Sequence, residues 1–163
     1  MKNNVRKRNK NNVRKRNLVA ALHKEPTLLQ ERISEESIKK AFSEKRAAAK
    51  LDSTAKNYIA FAMLWRTKDP SWYELGTIWV SPKHQRKGLM PIVFEKCAKK
   101  LPKGCGVFLI THNIKVLEVA RSFGWQLARS NWHDSEFWTR IAEPWDKWGP
   151  GQHSNGALLF FMP

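Results

Sequence analysis

The segment covering residues 72–91 constrains the fold of this chain most strongly. It begins with a mostly apolar run at 72–80, which is typical of a β-strand, and continues into a basic turn that contains Gly88. Behind the turn, apolar residues recur every three or four positions as far as Leu101, which indicates an amphipathic helix. Pro91 is compatible with this helix because first-turn residues have no intrahelical partner for an N–H. A glycine turn that opens a helix presents unpaired backbone N–H groups, so we expect a phosphate to bind here.

Strand-like runs and helix-like periodicities follow one another along the rest of the chain. The further strand candidates are residues 58–65, 107–110, 126–129 and 157–162. The further helix candidates are residues 26–33, 34–45 and 116–123. Residues 46–51 fit either a strand or a continuation of the preceding helix through three alanines. This order predicts an α/β (or α+β) fold, in which a mixed central sheet of about six strands is flanked by helices on both faces.

The basic N-terminal segment differs in character from the rest of the chain. With 163 residues, 42% of them apolar, the chain suffices for one domain, which we place at residues 18–163. Residues 1–17 contain two copies of Asn-Asn-Val-Arg-Lys-Arg-Asn and hold half of the net charge of +16. Few apolar side chains and dense like charge predict a disordered arm. Such an arm could bind RNA, DNA or a ribosome through phosphate contacts, or be a solvated tail without a specific partner.

Several classes of site and location are disfavoured by the sequence. Cys97 and Cys105 fit no metal spacing, and the histidines fit none either, so we predict reduced thiols and no metal site. No apolar run approaches the roughly 18 residues of a membrane span, and residues 18–22 are too short for the core of a signal peptide. We therefore expect a soluble, cytoplasmic protein that does not contact a membrane.

Two motifs in this order resemble the GNAT N-acetyltransferases, which transfer an acetyl group from acetyl-coenzyme A to an amine. The first motif, Gln85-Arg-Lys-Gly-Leu-Met90, resembles the family's pattern of Gln or Arg, two residues, Gly, one residue, and Gly or Ala at a helix start. The second, from Asn113 to Trp125, resembles the next helix of the family, with Asn, Gly and an aromatic at the usual offsets. The resemblance covers residues 46–130 and implies a GNAT-like fold.

The resemblance implies a coenzyme A site around the glycine turn. The backbone amides of residues 86–90 would hold the pyrophosphate, and residues 78–80 would pair with the pantetheine like an added strand. The Val80 N–H would then polarise the thioester carbonyl, an effect typically worth about 3 kcal/mol. The implied cofactor-binding residues are Ile78, Trp79, Val80, Gln85, Arg86, Lys87, Gly88, Leu89, Met90 and Asn113.

Glu74 is the candidate general base. It is the only acid in its strand and lies where the histone acetyltransferases of the family carry a glutamate base; burial would raise its pKa. A glutamate satisfied by solvent or by a lysine is the alternative, and water could carry the proton instead. Two positions depart from the family: Met90 replaces a small residue and would crowd the phosphate path, and Ala120 replaces the tyrosine that serves the leaving thiolate. Tyr73, Tyr58 or water would have to take that role.

A tryptophan-rich segment occupies the region where relatives build the acceptor wall. Its aromatic and charged residues are Trp132, His133, Asp134, Glu136, Trp138, Trp145, Asp146 and Trp148. They could seat an amine by cation–π contacts and ion pairing, or pack beneath a long loop.

The predicted function is acetyl-coenzyme A-dependent N-acetyl transfer to a primary amine. The candidate acceptors are a protein N-terminus, a lysine, a small amine and an aminoacyl-tRNA. The alternative is a catalytically weak or silent GNAT-like fold that serves as a basic RNA- or ribosome-binding module, which the charge, Met90 and Ala120 favour. The sequence predicts neither the acceptor nor the oligomeric state.

Overall fold

A six-stranded mixed sheet forms the centre of the protein. The computed structural model describes residues 2–28, 30–128, 136–141 and 157–161. The strands are β1 (Ala47–Leu51), β2 (Tyr58–Arg66), β3 (Trp72–Val80), β4 (Gly106–Thr111), β5 (Gln126–Leu127) and β6 (Ala157–Phe161). Their order across the sheet is β1-β2-β3-β4-β6-β5, and all neighbours are antiparallel except β3 and β4, which are parallel.

Helices cover both faces of this sheet. They are α1 (Lys2–Leu22), α2 (Glu35–Ser43), α3 (Leu89–Ala98), α4 (Ile114–Ser122) and α5 (Glu136–Ile141). Both faces of the central strand β2 are apolar. On one face Phe61 packs with α1 and α2, and on the other Ala62 packs with α3 and α4. The predicted fold class is thus confirmed. Within the described residues, no helix combines the length and the apolar character that crossing a bilayer requires.

Most predicted elements are present, with two local differences. Residues 46–51 form a strand rather than a continuation of the helix. The helix expected at residues 26–33 is only a 3₁₀ turn, Gln30–Arg32. The reason is local: the Gln30 side-chain amide donates to the carbonyl of Glu25 at 2.6 Å and also to that of Leu22, so the chain folds back tightly after α1.

The N-terminal arm, for which the sequence predicts disorder, is helical over residues 2–17 in the structure. Lys and Arg are good helix formers, and a helix extends easily from a turn that is already fixed. Here the fixed end is buried: Leu22 is fully enclosed and Leu18 is 2% exposed. Arg16 also pairs with Glu35 of α2 at 3.2 Å. The prediction from sequence considered residues 1–17 apart from the buried end of α1, which contains Leu18 and Leu22.

Removing the anchor should destabilise the protein. We expect Leu22→Ala to lower the free energy of unfolding by about 2–5 kcal/mol, because it leaves a cavity between α1 and the sheet. Val13→Ala, in the same helix but 53% exposed, should change it by less than about 0.5 kcal/mol. Urea unfolding monitored by fluorescence measures both. Equal, small effects would show that α1 does not pack on the sheet.

Candidate active site

The basic turn between β3 and α3 contains two left-handed residues. It follows a 3₁₀ turn, Pro82–His84. Arg86 has a φ of 62°, and Gly88, the N-cap of α3, has a φ of 68°. Glycine adopts this region at little cost, whereas any side chain at Gly88 would be strained. Left-handed residues in a turn direct successive N–H groups to one side, which forms a concave anion site.

The amides of this turn are unpaired. In the part of the chain that the structure describes, nothing accepts a hydrogen bond from the backbone N–H groups of residues 86–90, and no side chain caps α3. The two amides just before them, those of His84 and Gln85, are bonded within the 3₁₀ turn. The exposed side chains of Arg86 and Lys87 add positive charge to the positive end of the α3 dipole. Together these groups suit a pyrophosphate.

A cleft opens where β3, the strand that leads into this turn, separates from β4. The two strands are paired only from Trp72 to Glu74 on β3 and from Gly106 to Phe108 on β4. Beyond Glu74 they enclose a cavity of about 500 Å³, which we call the β3–β4 cleft. Its lining is Thr27, Leu28, Arg32, Trp65, Glu74, Leu75, Gly76, Thr77, Ile78, Leu109, Ile110, Thr111, His112, Asn113 and Val116. Beyond Glu74, the edge of β3 that faces β4 is therefore open to an extended ligand.

The backbone of Val80 faces this open side. The Ser81 N–H donates to the carbonyl of Ile59 at 2.9 Å, and Val80 lies opposite Ala60. Because bonded pairs alternate in antiparallel strands, the backbone groups of Val80 point away from β2. On that side the Gln85 side chain donates to the Val80 carbonyl at 3.4 Å. The Val80 N–H thus points towards the side on which an acyl carbonyl could lie.

A β-bulge at Thr77 shapes the wall of the cleft. The β2–β3 register shifts here, and Thr77 has a φ of 50°. The indole N–H of Trp65 donates to the Thr77 hydroxyl at 3.0 Å and fixes the bulge. Bulges bend a strand and re-aim its side chains. Of the three residues expected to pair with pantetheine, Ile78 lines the cleft, whereas Trp79 and Val80 bury their side chains in the two core clusters.

Glu74 is buried in the wall of the cleft and is paired with Arg32. It is 5% exposed, and its Oε2 accepts a hydrogen bond from Arg32 Nη2 at 3.0 Å. The guanidinium lies 4.2 Å from the ring centroid of Trp65. A Cβ at Gly76 would be 3.1 Å from Glu74 Oε1, so the glycine makes room for the carboxylate. The partner of Glu74 is therefore a half-buried arginine, neither solvent nor a lysine as the alternative interpretation had it.

Two effects act on the pKa of Glu74 in opposite directions. Burial raises the pKa, because it penalises the charged carboxylate, and the Arg32 guanidinium lowers it. Burial is the larger effect, so the pKa of Glu74 lies above its ordinary value. This is the direction that a general base working near neutral pH requires.

Met90 and Asn113 take structural positions close to the site. Met90 is half-buried and packs against the core cluster beneath α3, so its contacts are with the core rather than with the amides of the turn. Asn113 caps α4, since its Oδ1 accepts from the Lys115 N–H at 3.0 Å, and it also lines the β3–β4 cleft. Neither arrangement blocks a ligand that reaches from the turn into the cleft.

No tyrosine of the described residues lines the cleft. Ala120, at the position of the family's tyrosine, is fully buried in the core. Tyr73 is 8% exposed and belongs to the same core, and Tyr58 lies at the start of β2 beside the other core cluster. The idea that one of them replaces the tyrosine finds no support in their positions. His112, just after β4, does line the cleft, and an imidazole can donate or accept a proton.

Sequence reasoning missed Arg32, Trp65 and His112. A buried carboxylate requires a partner, so burial of Glu74 was the one signal for a cation nearby. No spacing pattern identifies Arg32, which lies 42 residues before Glu74 in the chain. The predicted acceptor wall falls mostly outside the described residues; of that segment, Glu136 and Trp138 lie in α5.

The remaining nucleophilic side chains do not form a second site. Cys97 and Cys105 are free thiols. Burial raises the pKa of Cys97 to about 12, which makes it unreactive. Over the residues that the structure describes, no three His, Cys, Asp or Glu side chains are grouped so that they could hold a metal ion.

Comparisons with known proteins identify the family and the fold of this chain. Residues 16–125 match the sequence model of the acetyltransferase (GNAT) family. N-acetylglutamate synthase from Neisseria gonorrhoeae, solved with coenzyme A and N-acetyl-glutamate, aligns over 90% of this chain with a TM-score of 0.61 and 20% identity. This chain spans only 31% of that protein. No curated protein matches the chain.

Two further solved structures share the fold. NAA60 from Arabidopsis thaliana, in complex with a bisubstrate analogue, has a TM-score of 0.60 and 14% identity, and the alignment covers 91% of both chains. A GNAT-family acetyltransferase from Staphylococcus aureus Mu50 has a TM-score of 0.50 and 14% identity, over 78% of this chain and 84% of the other. At identities this low, the structural similarity establishes a shared fold only. The substrate has to be argued from the site.

Loss of Arg32 from the Glu74–Arg32 pair should lower the free energy of unfolding by an amount that depends on pH. Arg32→Gln should destabilise the protein by about 3–5 kcal/mol, because it leaves the Glu74 carboxylate buried without a partner. A carboxyl whose folded pKa is raised favours folding when protonated, and this advantage is lost as pH rises through the folded pKa. The deficit of Arg32→Gln should therefore be larger at about pH 8 than at about pH 5, as measured by urea unfolding.

The double variant Arg32→Gln/Glu74→Gln serves as the control. It lacks both charges, so its deficit should not grow between about pH 5 and about pH 8. The same deficit at both pH values for Arg32→Gln would show that Glu74 is not a buried charge that depends on Arg32.

Proposed function

Because the chain belongs to the GNAT acetyltransferase family, we propose that it transfers an acetyl group from acetyl-coenzyme A to a primary amine at the β3–β4 cleft. One observation carries the proposal most directly: the amides of residues 86–90 are unpaired and lie in the turn that follows β3, whose edge is open beyond Glu74. A pyrophosphate on those amides and a pantetheine along β3 would bring the thioester to the cleft.

The residues present fit each part of the proposed reaction. Glu74 takes a proton from the acceptor ammonium, directly or through a water molecule. The free amine attacks the thioester carbonyl, and the Val80 N–H stabilises the negative charge that develops on the carbonyl oxygen. A C–N bond forms, the C–S bond breaks, and the thiolate leaves. The thiolate is protonated by His112 or by water, since no tyrosine of the described residues lines the cleft.

The acceptor is proposed as a class. The amine belongs to a protein N-terminus, a lysine, a small molecule or an aminoacyl-tRNA, all of which offer the same nucleophile. Thr27 and Leu28, from the connection after α1, also line the cleft and would meet the group attached to that amine.

A catalytically weak or silent protein is the second candidate. It is favoured by the buried Ala120, which leaves the cleft without the family's tyrosine. Release of free thiol from acetyl-coenzyme A in the presence of a panel of amines separates the two candidates. Thiol release with at least one amine supports the transferase, and coenzyme binding without thiol release for any amine supports the second candidate.

Coenzyme binding should depend on Gly88. Gly88→Glu places a negative charge and a strained residue at the amides, so we expect acetyl-coenzyme A binding to be lost in a calorimetric titration. Gly104→Glu is the matched control, because Gly104 has a φ of 78° and equally open surroundings but lies in the turn after α3. It should keep the affinity of the parent. Equal loss in both variants would indicate general destabilisation, and no heat with the parent chain would contradict the coenzyme site.

Catalysis should depend on Glu74. We expect Glu74→Gln to lower kcat by about 10²-fold or more, since it removes the base but keeps the size of the side chain. The decrease in rate towards low pH, which reflects protonation of this base, should also disappear. Binding of acetyl-coenzyme A to the variant, measured by calorimetry, checks that the site is still folded. An unchanged kcat together with an unchanged decrease in rate towards low pH would assign the proton transfer to another group.

A further inference from the structure

A basic groove with an aromatic wall runs over the free edge of β1. Its volume is about 810 Å³. The side chains that give it its chemical character are Phe42, Lys50, Tyr58, Lys96, Lys99 and Lys100. It lies two strands away from β3, so the groove is separate from the β3–β4 cleft.

The one carboxylate that lines this groove is already engaged in the chain's own turn. Asp52 follows β1 and accepts hydrogen bonds from the backbone N–H of Lys56 at 2.9 Å and from the Thr54 hydroxyl at 2.9 Å. It also accepts from the Asn57 N–H at 3.3 Å. Asp52 therefore stabilises the β1–β2 turn, and its charge is partly satisfied there.

Three of the four lysines have no acidic partner in the described part of the chain. Lys99 pairs with Glu95 of its own helix at 2.6 Å. Lys50, Lys96 and Lys100 are exposed, and no carboxylate of the described residues lies within ion-pairing distance of them. The groove therefore carries a net positive charge that an anionic ligand can neutralise.

The opposite wall is aromatic and is continuous with the basic helix α1. Phe42 and Tyr58 are half-buried and stack on one another, with ring centroids 5.5 Å apart and planes at 25°. The Lys15 ammonium lies 5.1 Å from the centroid of the Phe42 ring. Burial raises the pKa of the Tyr58 phenol, and the Arg14 guanidinium nearby lowers it by a smaller amount. The second copy of the N-terminal repeat thus borders the groove.

We propose that this groove and α1 together bind a single-stranded polynucleotide. Lysines neutralise phosphates without demanding fixed geometry, and an aromatic wall offers a surface on which an unstacked base can lie. Residues 1–17 hold eight Lys and Arg and no acid, so α1 adds positive charge to that of the groove. An acidic peptide would match the lysines, but it has no planar base for Phe42 and Tyr58.

Fluorescence anisotropy with labelled oligouridylate and oligothymidylate of about 12 nucleotides tests the proposal on the full chain. Lys96→Gln/Lys100→Gln should weaken binding about tenfold or more and reduce the magnitude of the salt slope by about 1.4, because two phosphate contacts are lost. The control Lys103→Gln/Arg121→Gln removes the same charge from exposed positions that do not line the groove, and should bind like the parent. Tyr58→Leu should weaken binding about fivefold or more, since stacking is lost.

The outcomes separate the proposal from general attraction between a basic protein and an anion. Stronger binding of oligouridylate than of oligothymidylate would identify RNA as the ligand. Equal binding of the two would show that the groove accepts a single strand of either RNA or DNA. Equal losses in the groove variant and in its control would overturn the proposal. So would displacement by polyglutamate at the same charge concentration, or equally tight binding of a duplex. The titrations contain no acetyl-coenzyme A, so they are independent of acetyl transfer.

Discussion

β3 and β4 pair over only three residues of each strand and then separate. Parallel neighbours in a sheet normally satisfy one another's backbone groups along their length, so the separation leaves polar backbone along β3 that needs another partner. The cavity between the strands, the bulge at Thr77 and the Val80 N–H all lie along this stretch of β3. The separation gives a regular sheet an internal site for an extended ligand, next to a helix start that suits a phosphate.

The N-terminal region is linked to this site through Arg32. Leu18 and Leu22 fix the end of α1 on the sheet, and the tight turn closed by Gln30 places the arginine over Trp65 and against Glu74. A buried ion pair contributes little net stability, but removing one partner is costly. The pair therefore acts mainly to hold a charged carboxylate in an apolar wall, with its pKa raised by burial.

The parts of the structure that could be predicted from sequence are those encoded locally. β3 begins and ends where its apolar run does, and Gly88 opens α3, because alternation, helical periodicity and glycine are read within a few residues. The six-stranded mixed sheet followed from the order of such elements. The turn at residues 85–90 was likewise identified from residues that are adjacent in the chain.

What could not be predicted depends on contacts between distant segments. Arg32 meets Glu74 only because α1 packs on the sheet, and the left-handed residue of the bulge is Thr77 rather than the neighbouring Gly76. The helical state of residues 2–17 also comes from the anchored end of α1 rather than from their own composition. Ala120 is a different case: its departure from the family was visible in the sequence, but only the fold shows that no tyrosine of the described residues lines the cleft.

The most direct test of the central claim is an NMR titration of the ¹⁵N-labelled full chain with coenzyme A. A pyrophosphate bound by the turn should produce the largest amide shifts in residues 86–90, and the pantetheine should shift Val80 and its neighbours in β3. Shifts confined to the basic groove at β1, or the absence of shifts in residues 86–90 at saturating coenzyme, would contradict a coenzyme site at the start of α3.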